Sequence, residues 1–312
     1  MTRARTADLG LVAALVLIVG ALALLSPAFR DPANLIGIGR QVAILGIAAA
    51  AMTFVILAGE IDLSVGAVAS ASAVVTALAL AQGLGALAIP VGLAVGAAFG
   101  LLNGLLVVYV AVPAFIATLV SFFIAQGVAL TLTGGRTILF EADWFRTLFA
   151  TGELFGARAA FWWLVAVVLA LWWALARTRF GAHVYAVGGD AESARMLGLA
   201  VGRIRIAIFT ATGALMGLVG MILIARIGIA RADGAVGLEF DAIAAAVIGG
   251  TRLGGGYGTI PRTVAGVALI GVLNNGLAIL NVDFNTQQVI KGALVIAVVL
   301  VDRWARGTRE GT

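Results

Sequence analysis

Residues 177–205 read RTRFGAHVYAVGGDAESARMLGLAVGRIR. This stretch decides the fold, because it interrupts a chain that is otherwise apolar enough to sit in lipid. It carries Arg177, Arg179, Asp190, Glu192, Arg195, Arg203 and Arg205, and it is hinged by glycines that include Gly188, Gly189 and Gly198. Asp190 suits an N-cap, since its carboxylate can accept from the free N–H groups of a first helical turn. Gly198 suits a helix stop. The spacing predicts a short helix within Asp190–Leu199, with Ala191, Ala194 and Leu197 on one face and Glu192 and Arg195 elsewhere. A helix this short is marginal by itself. Taken in isolation, the block therefore reads first as a solvated loop.

The rest of the chain changes that reading. Of its 312 residues 62% are hydrophobic and only 11% are charged, and mean hydropathy is +1.12. A soluble domain carries roughly 25% charged residues, so the expectation is an all-α polytopic membrane protein forming one domain over 1–312. The absence of cysteine excludes disulfides and thiolate metal sites. The net charge of +5 does not point to nucleic acid, because the arginines are spread over inter-helix segments and form no basic face. The 41 glycines suit closely packed membrane helices.

A spanning helix needs about 20 apolar residues. Apolar runs give about ten candidates: roughly 9–26, 36–57, 65–82, 86–110, 114–134, 160–176, 205–225, 240–252, 260–280 and 287–303. The eighth is too short to cross as a simple helix and is expected to be broken or buried. The first follows Arg3 and Arg5 like a signal peptide. It is read as a retained helix, since it is long and no convincing cleavage site follows. With the N-terminus inside, twelve of the 20 basic residues fall on inner segments and six on outer ones. That bias places both termini and residues 177–205 in the cytoplasm. The longest outer loop, 135–158, carries Trp144, Phe145 and Phe149 and is expected to lie on the outer interface.

A weak internal repeat is visible. Ile89-Pro90 through Gly100 to Asn103 aligns with Ile260-Pro261 through Gly271 to Asn274 at a constant offset, and Asp62 before LSVGAVAS resembles Asp241 before AIAAAV. The paired spans are five apart, so the halves have opposite orientation. Inverted repeats of this kind mark transporters.

The chain shows no engine of its own. Its sole lysine, Lys291, precedes Gly292, so there is no phosphate-gripping G-x-x-x-x-G-K-[ST] loop. The glycine cluster at 254–258 reads as a turn at the inner surface. His183 is the only histidine, which leaves little for a zinc hydrolase or a Ser-His-Asp triad. No chain of carboxylates suited to proton coupling runs through the spans, which weighs against an ion-coupled secondary transporter. Polar residues within spans either join helices or face a pathway. The translocation-path candidates are Asn103, Phe115, Thr118, Gln126, Asn274, Asn275, Gln288 and Lys291. Lys291 can alternatively snorkel to the interface or pair with Asp283. Asp62 can cap the third span.

Five segments carry a resemblance to a known family. They are LAGEIDLSVGAVAS (57–70), PAFIATLVSFFIAQGVALTLTGGR (113–136), YAVGGDAESARMLGL (185–199), FDAIAAAVIGGTRLGGGYGTI (240–260) and LNNGLAIL (273–280). In order and spacing they resemble permease subunits of bacterial ABC sugar importers of the ribose/xylose/galactose type. The resemblance implies a type II-like inner-membrane permease working as a dimer, a homodimer by expectation. Cytoplasmic ATPases would bind ATP and magnesium, and a periplasmic sugar-binding protein would dock above, so this chain would need no cofactor. It also implies that Gly188, Gly189, Asp190, Ala191, Glu192, Ser193, Ala194 and Arg195, with Leu197 and Gly198 beyond, form the cytoplasmic coupling region. Asp190 is Asn in many relatives, and Glu60 often replaces a Gly. Cargo alternatives within the wider family are nucleosides and branched-chain amino acids.

Overall fold

The computed structural model describes residues 2–283, 285–287, 289–290, 292–293 and 296. Its long helices are α1 (Thr2–Leu25), α2 (Pro32–Leu57), α3 (Val65–Ala81), α4 (Ala88–Val108) and α5 (Ala114–Thr133). After α5 come β1 (Ile138–Leu139), a one-turn α6 (Asp143–Arg146), and the hairpin of β2 (Glu153–Leu154) and β3 (Ala157–Arg158). Then follow α7 (Ala159–Arg177), α8 (Arg179–Gly189), α9 (Ala191–Met196), α10 (Val201–Ile227), β4 (Ile229–Ala230), α11 (Leu238–Ile248) and α12 (Ile260–Ile279).

Six segments are long and apolar enough to cross a membrane among the described residues: Gly37–Leu57, Gly85–Val108, Ala114–Thr133, Ala159–Arg177, Val201–Ile227 and Ile260–Ile279. Leu15–Leu25 and Val65–Ala81 are apolar but shorter. The short eighth candidate is α11, with 11 residues. At 1.5 Å per residue it rises only about 16 Å, roughly half a ~30 Å hydrocarbon slab. The tenth candidate, and with it Gln288 and Lys291, lies outside the described residues or largely so.

α2 is the central post. Every residue from Ala43 to Ala58 is buried, as a helix that is apolar all round must be. It touches α7, α10, α11 and α12. Polar pairs fasten it to α12: Thr53 Oγ1 and Thr263 Oγ1 lie 2.8 Å apart, and Asn34 and Asn275 exchange amide hydrogen bonds of 3.1 and 2.7 Å. α5 and α7 are peripheral and expose much of their apolar surface.

The tightest seam joins α4 to α10. In lipid, helices gain little from hydrophobicity against one another, so association depends on close backbone approach. A methyl group on Gly96 would lie 2.2 Å from the Gly213 carbonyl oxygen, and one on Gly213 would lie 2.2 Å from the Gly96 carbonyl oxygen. A larger residue at either position must push the helices apart.

α3 and α11 both begin at turns rich in buried polar groups. Ser70 Oγ accepts from the Ala235 N–H at 2.9 Å, which ties the segment before α11 to α3. Gly66 is side-chain-free where it meets that segment, since a methyl there would sit 2.5 Å from the Ala235 carbonyl oxygen. The 135–158 loop folds onto α7: Phe145 and Phe149 are buried, and Phe149 stacks on Trp163 at 5.4 Å between centroids. Trp144 remains half-exposed.

Candidate coupling site

The stretch 177–205 forms two short helices on one end of the bundle. α8 was not anticipated from the sequence. Thr178 starts it, its hydroxyl accepting from the Gly181 N–H at 3.3 Å, and Gly181 lets the chain turn tightly against the carbonyl of Leu175. Asp190 then caps α9 as its chemistry predicts. Its Oδ1 accepts from the N–H groups of Glu192 and Ser193 at 3.0 and 3.2 Å, and its Oδ2 accepts from the Ser193 hydroxyl at 2.5 Å. These donors hold the Asp190 carboxyl below the usual carboxylate range, the Ser193 hydroxyl foremost. Glu192 and Arg195 form an exposed ion pair at 2.8 Å. Gly198 ends the block at φ +82°, a conformation that favours glycine.

One detail of the facial pattern differs from expectation. Ala194 is buried and Ala191 partly so, but Leu197 is 82% exposed and Met196 76%. α9 ends at Met196, so Leu197 leaves the helical register and points away with it. The outcome is a small knob: a buried alanine face against the bundle and an exposed rim of Glu192, Arg195, Met196 and Leu197.

The knob is seated by glycine. Gly188 is buried, and a methyl on it would lie 1.6 Å from the Leu57 carbonyl oxygen and 2.8 Å from the Gly256 nitrogen. Gly256 in turn donates to the Leu57 carbonyl at 2.9 Å. Gly255, at φ +83°, faces the Gly188 carbonyl and the backbone of Gly59. The Tyr185 hydroxyl donates to the Gly258 carbonyl at 2.7 Å. The glycine cluster at 254–258 is therefore one wall of a main-chain socket, and the turn after α2 is the other.

A charge contact reinforces that turn. Arg205 Nε and Glu60 Oε1 are 2.8 Å apart, with side chains 25% and 12% exposed. The N–H points off the line of an ideal hydrogen bond, so the contact is chiefly coulombic. Burial pushes the Glu60 carboxyl above its usual range, and the Arg205 charge opposes that. Both the entry to α9 (through Gly188) and its exit (through Arg205 in α10) are thus held to the single turn between α2 and α3. Sequence reading gave no sign of this pairing.

The proposed path residues have varied surroundings. The Asn103 amide donates to Ser64 Oγ at 2.9 Å, and Ser64 donates to Asp62 Oδ1 at 2.6 Å. Asp62, two residues ahead of the N-cap Ser64, thus orders the turn into α3. Thr118 is buried and accepts from the Leu63 N–H at 3.1 Å. The Asn274 amide donates to Asp241 Oδ2 at 3.3 Å. Asn275 holds Asn34 as described. Phe115 is exposed on α5, and Gln126 lines a cleft at the opposite end of the bundle from α9.

Comparison with known proteins fits this architecture. The ribose import permease protein RbsC of Escherichia coli (strain K12) is 38% identical over 294 residues, covering 93% of this chain and 91% of that protein. RbsC of Bacillus subtilis (strain 168) is 39% identical over 297 residues, covering 95% and 92%. The L-arabinose ABC transporter permease protein AraH of Azospirillum brasilense is 33% identical over 302 residues, covering 96% and 89%. Comparison with solved structures gave no significant match. A family model described as branched-chain amino acid transport system / permease component matches residues 34–299. The helical bundle, the membrane-length spans and these matches agree, and the chain belongs to that family of transport permeases.

Proposed function

We propose that the chain is the membrane permease of an ATP-driven importer that carries a monosaccharide across the bacterial inner membrane. The observation that carries this reading is the seated knob, α9, within a chain 33–39% identical to ribose and arabinose permeases. Its rim is exposed for a partner, and its root is fixed by main-chain contacts to α2, α8 and the 254–258 loop. A partner pushing on the rim therefore moves three segments at once. On this reading two cytoplasmic ATPases supply the push, with ATP and magnesium bound there, and a periplasmic binding protein delivers the sugar. The permease performs no covalent chemistry. Its work is to alternate between outward- and inward-open arrangements.

The finer architecture follows the same reading. Ten spans, both termini inside and two copies per transporter are consistent with the arginine bias and with the apolar face of α5 that exposes Phe115, Leu119 and Phe123. The inverted repeat gains support from chemistry. Asn103 reaches the Asp62 turn through Ser64, and its repeat partner Asn274 reaches Asp241 directly. Each half thus pairs an amide on its second helix with a carboxylate near the start of its first.

The family description also covers branched-chain amino acids, so amino acid cargo is the second reading. Uptake of labelled pentoses, hexoses and leucine by the assembled transporter separates the two. Coupling is tested by Arg195→Glu combined with Leu197→Asp. The double variant should insert normally, lose uptake and release the ATPase subunits on purification. Normal uptake in that variant removes α9 from the mechanism.

A further inference from the structure

At the end of the bundle away from α9, a cleft of about 320 Å³ lies between the turn after α5 and the turn after β4. It is lined by Gln126, Leu130, Arg136, Thr137, Arg231 and Asp233, among others. Its volume is at the lower end of the ~300–1,000 Å³ usual for ligand pockets, which suits a small molecule. Its walls are fixed to each other. β1 and β4 pair antiparallel, Ile138 with Ala230 and Leu139 with Ile229, directly beside Thr137 and Arg231. The cleft is therefore shaped before any ligand arrives.

The lining offers both halves of a hydrogen-bonding dialogue. Arg231 meets Asp233 through two contacts of 3.0 Å, Nε to Oδ1 and Nη2 to Oδ2, a planar ion pair on the exposed rim with donors and acceptors on its edge. The Arg136 guanidinium has no ion pair or hydrogen bond among the described residues. Gln126 Oε1 is buried without a hydrogen-bond partner, an acceptor in want of a donor. A hydroxyl both donates and accepts, so a ring that carries several can meet unpaired donors and acceptors at once. A simple anion fits less well. Arg231 is already neutralised by Asp233, and Gln126 Oε1 is an acceptor that a carboxylate cannot satisfy; Arg136 alone favours an anion, and the gluconate arm of the test below weighs it.

We propose that this cleft is a weak contact site on the permease for a neutral monosaccharide, with Gln126, Arg136 and the Arg231–Asp233 pair binding its hydroxyls. The proposal rests on the sugar reading above and adds a place where the sugar touches this chain. Weakness is a requirement, since a site that must release its cargo gains nothing from holding it tightly.

The test uses the full transporter with its ATPases in lipid nanodiscs, without binding protein. Saturation-transfer NMR is read with D-ribose, L-arabinose and D-gluconate, and uptake of the same sugars is measured with binding protein present. Ring-proton signals from a neutral sugar should appear in the wild type and fall at least threefold in Gln126→Leu and in Arg136→Ala. They should persist in Tyr109→Ala, an exposed residue at the other end that belongs to neither the knob nor the cleft. Size-exclusion profile and ATPase rate confirm that each variant is assembled. Absence of transfer, transfer unchanged in both variants, or transfer to gluconate alone overturns the proposal. So does a pattern in which Arg136→Ala weakens only capture of the binding protein, which makes the cleft a docking surface. If wild-type uptake of neutral sugars proceeds while transfer is absent, only the cleft assignment fails. If wild-type uptake of neutral sugars is absent, the cargo reading fails with it.

Discussion

The two ends of this molecule are joined in opposite ways. At the α9 end, Gly59, Gly188, Gly255 and Gly256 bring main chain against main chain, with little side-chain padding. At the other end, rings and guanidinium groups make the contacts: Phe145, Phe149 and Trp163 pack together, Arg231 clasps Asp233, and Arg146 reaches the Ala225 carbonyl. Main-chain contacts are short and stiff, because an added methyl group has nowhere to go. Side-chain contacts can adopt other rotamers and still pack. On the coupling reading proposed above, the stiff end would pass a displacement on, while the far end is held by side-chain packing beside the paired β1 and β4.

Four sites of substitution test that contrast, ordered by expected effect on uptake. Gly188→Ala should be the most damaging. Its methyl group would meet the Leu57 carbonyl at 1.6 Å, and relief of such overpacking costs about 1–3 kcal/mol and shifts the socket. Uptake should be lost while the protein still inserts, and co-purification of the ATPases should fall. Wild-type uptake would show that the socket is not stiff.

Second is the ion pair. Glu60→Arg or Arg205→Glu alone leaves two like charges together where both side chains are largely buried. Discounted for partial exposure, the cost is about 1–2 kcal/mol, roughly a 5–30-fold effect. The exchange variant carrying both changes should recover most of the uptake per ATP hydrolysed. A double variant no better than either single change would show that the contact has no part in coupling.

Third, Asp190→Ala should lower ATPase binding several-fold, and Asp190→Asn should not, because the amide oxygen still caps α9. The pH dependence has a definite sign. The folded carboxyl is depressed, so its contribution is present above the ordinary carboxylate range and is lost as pH falls through the depressed value. ATPase binding measured from pH 8 downward should therefore stay flat until acid conditions in the wild type. The Asn variant should lack that acid-side loss.

Smallest for uptake is Phe149→Ala at the far end. Loss of a buried ring costs about 3 kcal/mol or more of stability, which thermal unfolding in nanodiscs will register. Uptake per folded molecule should remain unchanged. A selective loss of uptake would mean that the far end is as tightly geared as the near one.

Much of this was legible in the sequence. Hydropathy located most of the long helices, and Asp190 and Gly198 marked the start and stop of α9, because capping chemistry is local. α8 was missed because Gly181, Gly188 and Gly189 read as loop, whereas they are the points where the helix approaches other main chain. The Glu60–Arg205 contact was invisible because the residues are distant in sequence and only the folded turn after α2 brings them together. Leu197 was grouped on one face with Ala191 and Ala194 by continuing a helical period one residue past where α9 ends. The depth at which α3 and α11 begin depends on Gly66 admitting the Ala235 carbonyl, a contact between segments that no single-segment pattern encodes.

The main-chain socket has a consequence for partner choice. The socket joins the knob to this chain's own backbone, so it presents no side chain for a partner to read. On the coupling reading proposed above, identity would be written on the four side chains that project from the knob, Glu192, Arg195, Met196 and Leu197. If α9 is the coupling element proposed above, those few letters would be where a partner ATPase tells this permease from its relatives, and where that pairing could be changed without disturbing the socket.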